Sequence, residues 1–95
     1  METIIEISKL ARKALQKAPL QVQKKFYKWT LLVNISGIET ARKISSFHDE
    51  PLQGERNGQR SIRLNKQWRA LYIEENKQDI LITVIEVNAH DYRTR

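Results

Sequence analysis

Arg56, Arg60, Arg63 and Arg69 crowd one stretch of the chain, with Lys66 among them. Before them stand Glu50, Pro51, Leu52 and a loop running from Gly54 to Gly58, and Ser61 and Tyr72 lie within the same region. Guanidinium is suited to gripping phosphate: its planar fork of donors matches two phosphate oxygens, and it keeps its charge at any physiological pH. One carboxylate, a flexible turn and several such groups within reach of a single sheet edge make a nucleic-acid backbone the first partner to consider. Near the other end, Glu86, Asn88, His90 and Asp91 close an apolar run and bring ionisable groups to its rim.

The remaining elements must position these groups. Thr3 to Ile7 reads as a first strand, and Ser8 supplies an oxygen suited to capping a helix. From Lys9 to about Lys17, Leu10, Ala11, Ala14 and Leu15 share one side, and Arg12, Lys13 and Gln16 the other, so this is an amphipathic surface helix. Pro19 opens a second helix, in which Val22, Phe26, Trp29 and Val33 recur at intervals of three and four and Tyr27 and Leu31 are expected to widen the stripe. Gly37 stops it. Phe26 and Trp29 read at this spacing as core rather than as a stacking platform for bases. Ile38 to Phe47 is a third helical turn or a loop that holds Ile44 and Phe47 inward. A mobile polar connection follows, from His48 to Gln59.

Arg60 to Asn65 alternates in polarity, with Ile62 and Leu64 on one side and Ser61, Arg63 and Asn65 on the other. Lys66 and Gln67 make a turn, and Trp68 to Glu74 returns as the partner strand. Arg69 shares a side with Leu71 and Ile73, which is consistent with a strand end where the buried face gives way to an exposed one. After a turn at Asn76 to Asp79, Ile80 to Val87 is almost continuously apolar and reads as a central strand buried on both faces. The fold class is therefore α+β: an N-terminal strand, two or three helices, then a three-stranded antiparallel meander with helices on one face and the other face open and basic.

The totals agree with a small folded protein. The chain has 95 residues, 40% hydrophobic and 29% charged, which allows a single domain over 1–95 with a modest core. A formal net charge of +6 favours a polyanionic partner through counterion release. With no cysteine, disulfides and thiolate metal sites are excluded. That fits the reducing cytoplasm. No run of residues has the length of a membrane span, and Met1 leads into an alternating segment rather than a signal peptide, so neither a membrane nor export is expected.

Taken together, Glu50-Pro51-Leu52, then Gly58, Ser61, Arg63, Arg69 and Tyr72, then His90 and Tyr92 resemble the RelE/ParE superfamily of toxins from bacterial type II toxin-antitoxin pairs. Within it the chain is most similar to the RelE, HigB and YoeB type of messenger-RNA interferase. Element order is shared along nearly the whole chain, and the specific motifs lie between Glu50 and Tyr92.

The resemblance implies a RelE-like, microbial-RNase-type fold and a ribosome-dependent endoribonuclease that needs neither metal nor cofactor. By that likeness the ribose 2′-hydroxyl attacks, leaving a cyclic phosphate and a free 5′-hydroxyl. It puts Glu50 in the position of the base, Arg63 and Arg69 in those that contact the phosphate, and His90 in that of the acid. Tyr92 matches the family's terminal aromatic, and Arg56, Arg60 and Lys66 are expected to bind the RNA backbone. Each role suits its residue: carboxylates accept protons, guanidinium stabilises developing charge, and imidazole titrates near neutral pH.

The implied partners are a cognate antitoxin and messenger RNA on the ribosome, with DNA touched only indirectly through the antitoxin complex. This chain has Gln53 where the motif commonly carries lysine, and Asp91 intervenes between His90 and Tyr92. Other readings stay open on the residues alone. Glu50 is also what a solvated loop would carry, Arg63 and Arg69 what a sheet edge uses to deter pairing, and His90 what a backbone carbonyl would hold. A ParE-like poison of DNA gyrase shares the fold without an acid and base pair, and a silent RNA- or protein-binding module would share the charge. His48, Asp49, His90 and Asp91 could gather around a metal, although their spacing matches no local ligand motif.

Overall fold

The computed structural model describes residues 2–89. Its elements are β1 (Thr3–Ile7), α1 (Lys9–Lys17), α2 (Leu20–Ser36), α3 (Ile38–Arg42), β2 (Glu50–Pro51), β3 (Arg60–Arg63), β4 (Arg69–Asn76) and β5 (Ile80–Asn88), with 3-10 turns at Ser45–Phe47 and Gly54–Arg56. The strands form one sheet in the order β1-β5-β4-β3-β2. β1 runs parallel to β5, and the other neighbours are antiparallel. The expected meander is therefore β3-β4-β5, extended on one side by the N-terminal strand and on the other by a two-residue strand at Glu50–Pro51. None of the helices is long and apolar enough to cross a membrane, among the described residues.

Each helix begins and ends where local chemistry dictates. Ser8 Oγ accepts the Ala11 N–H at 3.0 Å and donates to Ile85 O at 3.1 Å, so one hydroxyl caps α1 and ties its start to the central strand. Pro19 precedes the first turn of α2, and Gly37 ends it at a φ of 89°, a conformation that suits glycine, with its N–H bonded to Val33 O at 2.9 Å. Val22, Phe26, Trp29 and Val33 are fully buried against the sheet, where the Trp29 and Tyr72 rings meet at 5.2 Å. The third helical segment also forms, with Ile38, Ala41 and Phe47 buried and Ile44 packed on the core.

Three apolar residues assigned to the core stripes lie outside them. Leu10 is 69% exposed, Tyr27 48% and Leu31 58%. On α1, Ala11 and Leu15 are buried and Ala14 is half-buried against the core, while Leu10 lies beyond them on the outer side. On α2 the face toward the sheet is filled by the four residues named above, and Tyr27 and Leu31 emerge on the opposite side.

β5 is central, as its composition suggests, but it is not sealed on both faces. Ile82, Val84 and Val87 are buried under the helices, whereas Leu81, Thr83, Ile85 and Glu86 are half-buried. Tyr72 pairs with Val84 while Leu71 pairs with Glu86, so Ile85 is bulged out of the ladder. The bulge resets the alternation. Val87 returns to the core side, and Glu86 and Asn88 go to the open face.

Candidate functional site

Residues directly opposite on neighbouring antiparallel strands share a face, as do residues two apart along a strand. Glu50 stands opposite Ser61 across β2 and β3. Ser61 stands opposite Leu71, and Arg63 opposite Arg69, across β3 and β4. Leu71 and Arg69 are in turn opposite Glu86 and Asn88 on β5. Tyr72, of the other parity, packs on Trp29, so all of these lie on the sheet face turned away from the helices. Glu50, Arg63 and Arg69 are thus brought to one surface. From the Ser61 position to Arg63 is about 7 Å along the strand.

The two arginines differ in how they are held. Asn65 Oδ1 accepts the N–H groups of Gln67 and Trp68 at 2.8 and 2.7 Å, closing the β3–β4 turn around its own side chain. Arg69 then donates from one terminal nitrogen to Asn65 O at 3.0 Å and Trp68 O at 3.2 Å, and only 3% of the residue is exposed. The strand-end reading is right about position and wrong about exposure: the residue is buried, with one terminal nitrogen tied to main-chain carbonyls of the turn. Arg63 is half-buried, and its Nε is buried without a hydrogen-bond partner. Like charges directly opposite each other on a sheet destabilise it, which makes the Arg63–Arg69 pair a natural seat for an anion. The field extends to α2, where burial lowers the Lys25 ammonium below its usual value and Lys28 and Arg63 add to the effect.

Around this pair the other expected contacts take different places. Arg56 folds over the open face, donating to Gln59 Oε1 at 2.9 Å and to the Glu86 carboxylate at 3.0 Å. Asn88 donates to the same carboxylate at 3.1 Å. Lys66 is exposed in the β3–β4 turn, at the rim. Arg60 stands apart, being opposite Tyr72 and therefore on the helix side of the sheet. There its Nε donates to Asp49 Oδ1 at 2.6 Å, and the Asp49 side chain is wholly buried. His90 and Tyr92 lie outside the described residues.

Asp49 is the hub of a buried polar chain that sequence reasoning missed. Tyr72 donates its hydroxyl to Asp49 Oδ2 at 2.5 Å, Arg42 Nε donates to the Tyr72 oxygen at 3.2 Å, and Arg42 is also paired with Glu74. Burial, and then the bond to the Asp49 carboxylate, push the Tyr72 hydroxyl well above its ordinary pKa, against the opposing pull of Arg42. The chain fastens the residue just before Glu50 to the core, and β2 pairing fixes Glu50 itself opposite Ser61. His48, considered in the sequence only as one of four possible metal ligands, stands beside Glu50. Its Nε2 lies 3.8 Å from Glu50 Oε2, and its backbone adopts the left-handed region at a φ of 47°. The signal was its spacing of two from Glu50. Among the described residues no three acidic, histidine or cysteine side chains group as a metal site requires.

Neither a protein-family model nor a curated protein sequence matches this chain. Solved structures do. The toxin in the Escherichia coli DinJ-YafQ toxin-antitoxin complex is similar at 26% identity and a TM-score of 0.67, over 95% of this chain and 94% of that one. The archaeal RelE-RelB complex from Pyrococcus horikoshii OT3 is similar at 23% identity and a TM-score of 0.69, over 94% and 96%. A YoeB/ParE toxin from Agrobacterium tumefaciens is similar at 18% identity and a TM-score of 0.66, over 96% and 100%.

Proposed function

We propose that this chain, which has the fold of the RelE/ParE toxins, is the toxin of a type II toxin-antitoxin pair and a metal-independent endoribonuclease of messenger RNA at the ribosome. The observation that carries the reading is the convergence of Glu50, Arg63 and Arg69 on one sheet face, with the two arginines directly opposite each other. The partner is a cognate antitoxin, as in the solved DinJ-YafQ and RelE-RelB complexes. The place of action is the cytoplasm, where ribosomes are.

In the proposed reaction Glu50 takes the proton of a ribose 2′-hydroxyl, and that oxygen forms a bond to the adjacent phosphorus. The bond from phosphorus to the 5′-oxygen breaks, and His90 gives the departing oxygen its proton. The products are a 2′,3′-cyclic phosphate and a 5′-hydroxyl. Arg63 and Arg69 meet the charge that builds on the phosphorane, where fixed donors in a partly dry site contribute most. Tyr92 orients the phosphate or stacks near a base. Arg56 and Lys66 flank the face along the path of the RNA backbone, whereas Arg60 serves the Asp49 network instead.

Purified chain is tested against translating ribosomes and, separately, against DNA gyrase. Cleaved messenger with unimpaired supercoiling is expected, with cleavage lost in Glu50→Gln. Intact messenger with inhibited supercoiling overturns the proposal in favour of the gyrase poison, and a chain that neither cuts messenger nor slows growth leaves a silent binding module.

A further inference from the structure

His48 carries a left-handed backbone, with a φ of 47° and a ψ of 50°, and among the described residues it is the one residue other than glycine with a positive φ. Such a conformation persists where the neighbours on both sides impose it, and here they do. Before His48, the 3-10 turn Ser45–Phe47 ends on a buried Phe47, and the His48 N–H donates to Ser45 O at 3.1 Å. After it, Asp49 is fixed between Arg60 and Tyr72. The chain is thus turned so that the imidazole stands beside the Glu50 carboxylate, with Nε2 at 3.8 Å from Oε2. The other charges around the pair are mostly positive. Arg63 shares the Glu50 face two positions along β3 from Ser61, and Lys25 of α2 donates from Nζ to Ser46 O at 2.7 Å, just before His48. Asp49 and Arg60 are paired with each other on the helix side of the sheet. A neutral imidazole adds no further cation to this cluster and has a nitrogen free to accept a proton.

We propose that His48 is the proton exit of the site, a reading that rests on Glu50 being the base of the toxin reaction above. The proton leaves the 2′-oxygen for Glu50, moves from the carboxylate to Nε2 of a neutral imidazole, and leaves the imidazolium for water, so that both groups end as they began. Chemistry and exposure set the direction of travel. Imidazole ordinarily titrates near about 6.5 and a glutamate carboxylate near about 4.3, which draws the proton outward by about a hundredfold. The Glu50 side chain is 29% exposed and that of His48 48%, so RNA lying on the face covers the carboxylate and leaves the imidazole a path to solvent. At 3.8 Å the pair is not yet hydrogen-bonded, but catalytic contacts are often long before substrate binds, and turning either side chain closes this one. His48 does not touch the RNA. It is a positioning residue that recharges the base.

His48→Gly removes the imidazole and suits the left-handed backbone, and His48→Asn keeps a polar side chain that tolerates it. Single-turnover cleavage of messenger on programmed ribosomes is followed from about pH 5.5 to 8 for wild type and both variants. The wild-type rate is expected to fall on the acid side where imidazoles ordinarily take up a proton, near about pH 6.5. Both variants are expected to lose about tenfold or more in rate at the upper end of that range, with the half-saturating ribosome concentration unchanged. Their acid limb moves toward the carboxylate range, so the rate stays level down to about pH 5.5. Added imidazole restores the rate of His48→Gly, and more so at higher pH, where it is neutral; a misfolded variant would not respond. An unchanged rate in the variants, an acid limb that stays where it is in wild type, or a loss that imidazole does not repair overturns the proposal. A wild-type chain that leaves messenger whole at every pH overturns the toxin reading and this one with it. Cleavage lost in Glu50→Gln but indifferent to His48 overturns the proton exit alone.

Discussion

Replacing Asp49 by alanine tests whether the buried polar chain fixes the edge of the sheet beside Glu50. The Asp49 side chain is fully buried, with Arg60 Nε at 2.6 Å on one oxygen and the Tyr72 hydroxyl at 2.5 Å on the other. Without it, an Arg60 side chain only 27% exposed loses its counter-charge, and the Tyr72 hydroxyl loses its acceptor. Removing one partner of a buried ion pair costs about 3–5 kcal/mol. The two bonds share one carboxylate, so their losses do not add in full. Asp49→Ala should therefore lower unfolding free energy by about 3–5 kcal/mol. Asp49→Asn keeps an acceptor and should lose about 1.5–3 kcal/mol, the contribution of a hydrogen bond to a charged group. A domain of this size has about 5–15 kcal/mol in all, so the alanine variant sits close to unfolding. Urea titration followed by the fluorescence of Trp29 and Trp68 reads both numbers. A loss below about 1 kcal/mol in Asp49→Ala would mean that the buried chain does not hold this edge, because that is the ordinary effect of a residue without a structural role.

The raised Tyr72 pKa means that near pH 10 the unfolded chain releases a proton the folded chain keeps. The folded state then binds more protons, so this contribution to stability is whole below pH 10 and falls above it by about 1.4 kcal/mol per pH unit; Tyr72→Phe should flatten that slope in urea midpoints measured from about pH 9 to 11.5. Arg63, whose Nε has no hydrogen-bond partner, should be dispensable for folding and needed for cleavage. Arg63→Ala is expected within about 1 kcal/mol of wild-type stability, with cleavage down about a hundredfold or more. The reverse pattern, lost stability with unchanged cleavage, would make Arg63 a structural residue.

What the sequence made legible was what depends on period and caps. Ser8, Pro19 and Gly37 bound α1 and α2 because their chemistry is local, and the Val22-Phe26-Trp29-Val33 stripe is long enough to declare its face. Tyr27 and Leu31 misled because apolar character alone does not say which side of a helix meets a partner inside the chain. β2 was invisible: two residues carry no period, and Glu50–Pro51 is a strand only because β3 lies beside it. Arg60 and Arg63 were grouped by charge, although positions three apart on a strand point to opposite faces, and parity could have separated them. The burial of Arg69 was out of reach: Asn65 and Lys66 announce the turn, but not that its main-chain carbonyls would face the guanidinium.

If the Glu50-Arg63-Arg69 face drives attack by a ribose 2′-hydroxyl, as proposed, the ends of the cut RNA must show it. Messenger recovered from ribosomes treated with the purified chain in the presence of a metal chelator should carry 2′,3′-cyclic phosphate and 5′-hydroxyl ends by mass spectrometry, and Glu50→Gln should leave it whole. Fragments ending in a 3′-hydroxyl with a 5′-phosphate, or cleavage abolished by the chelator, would contradict it.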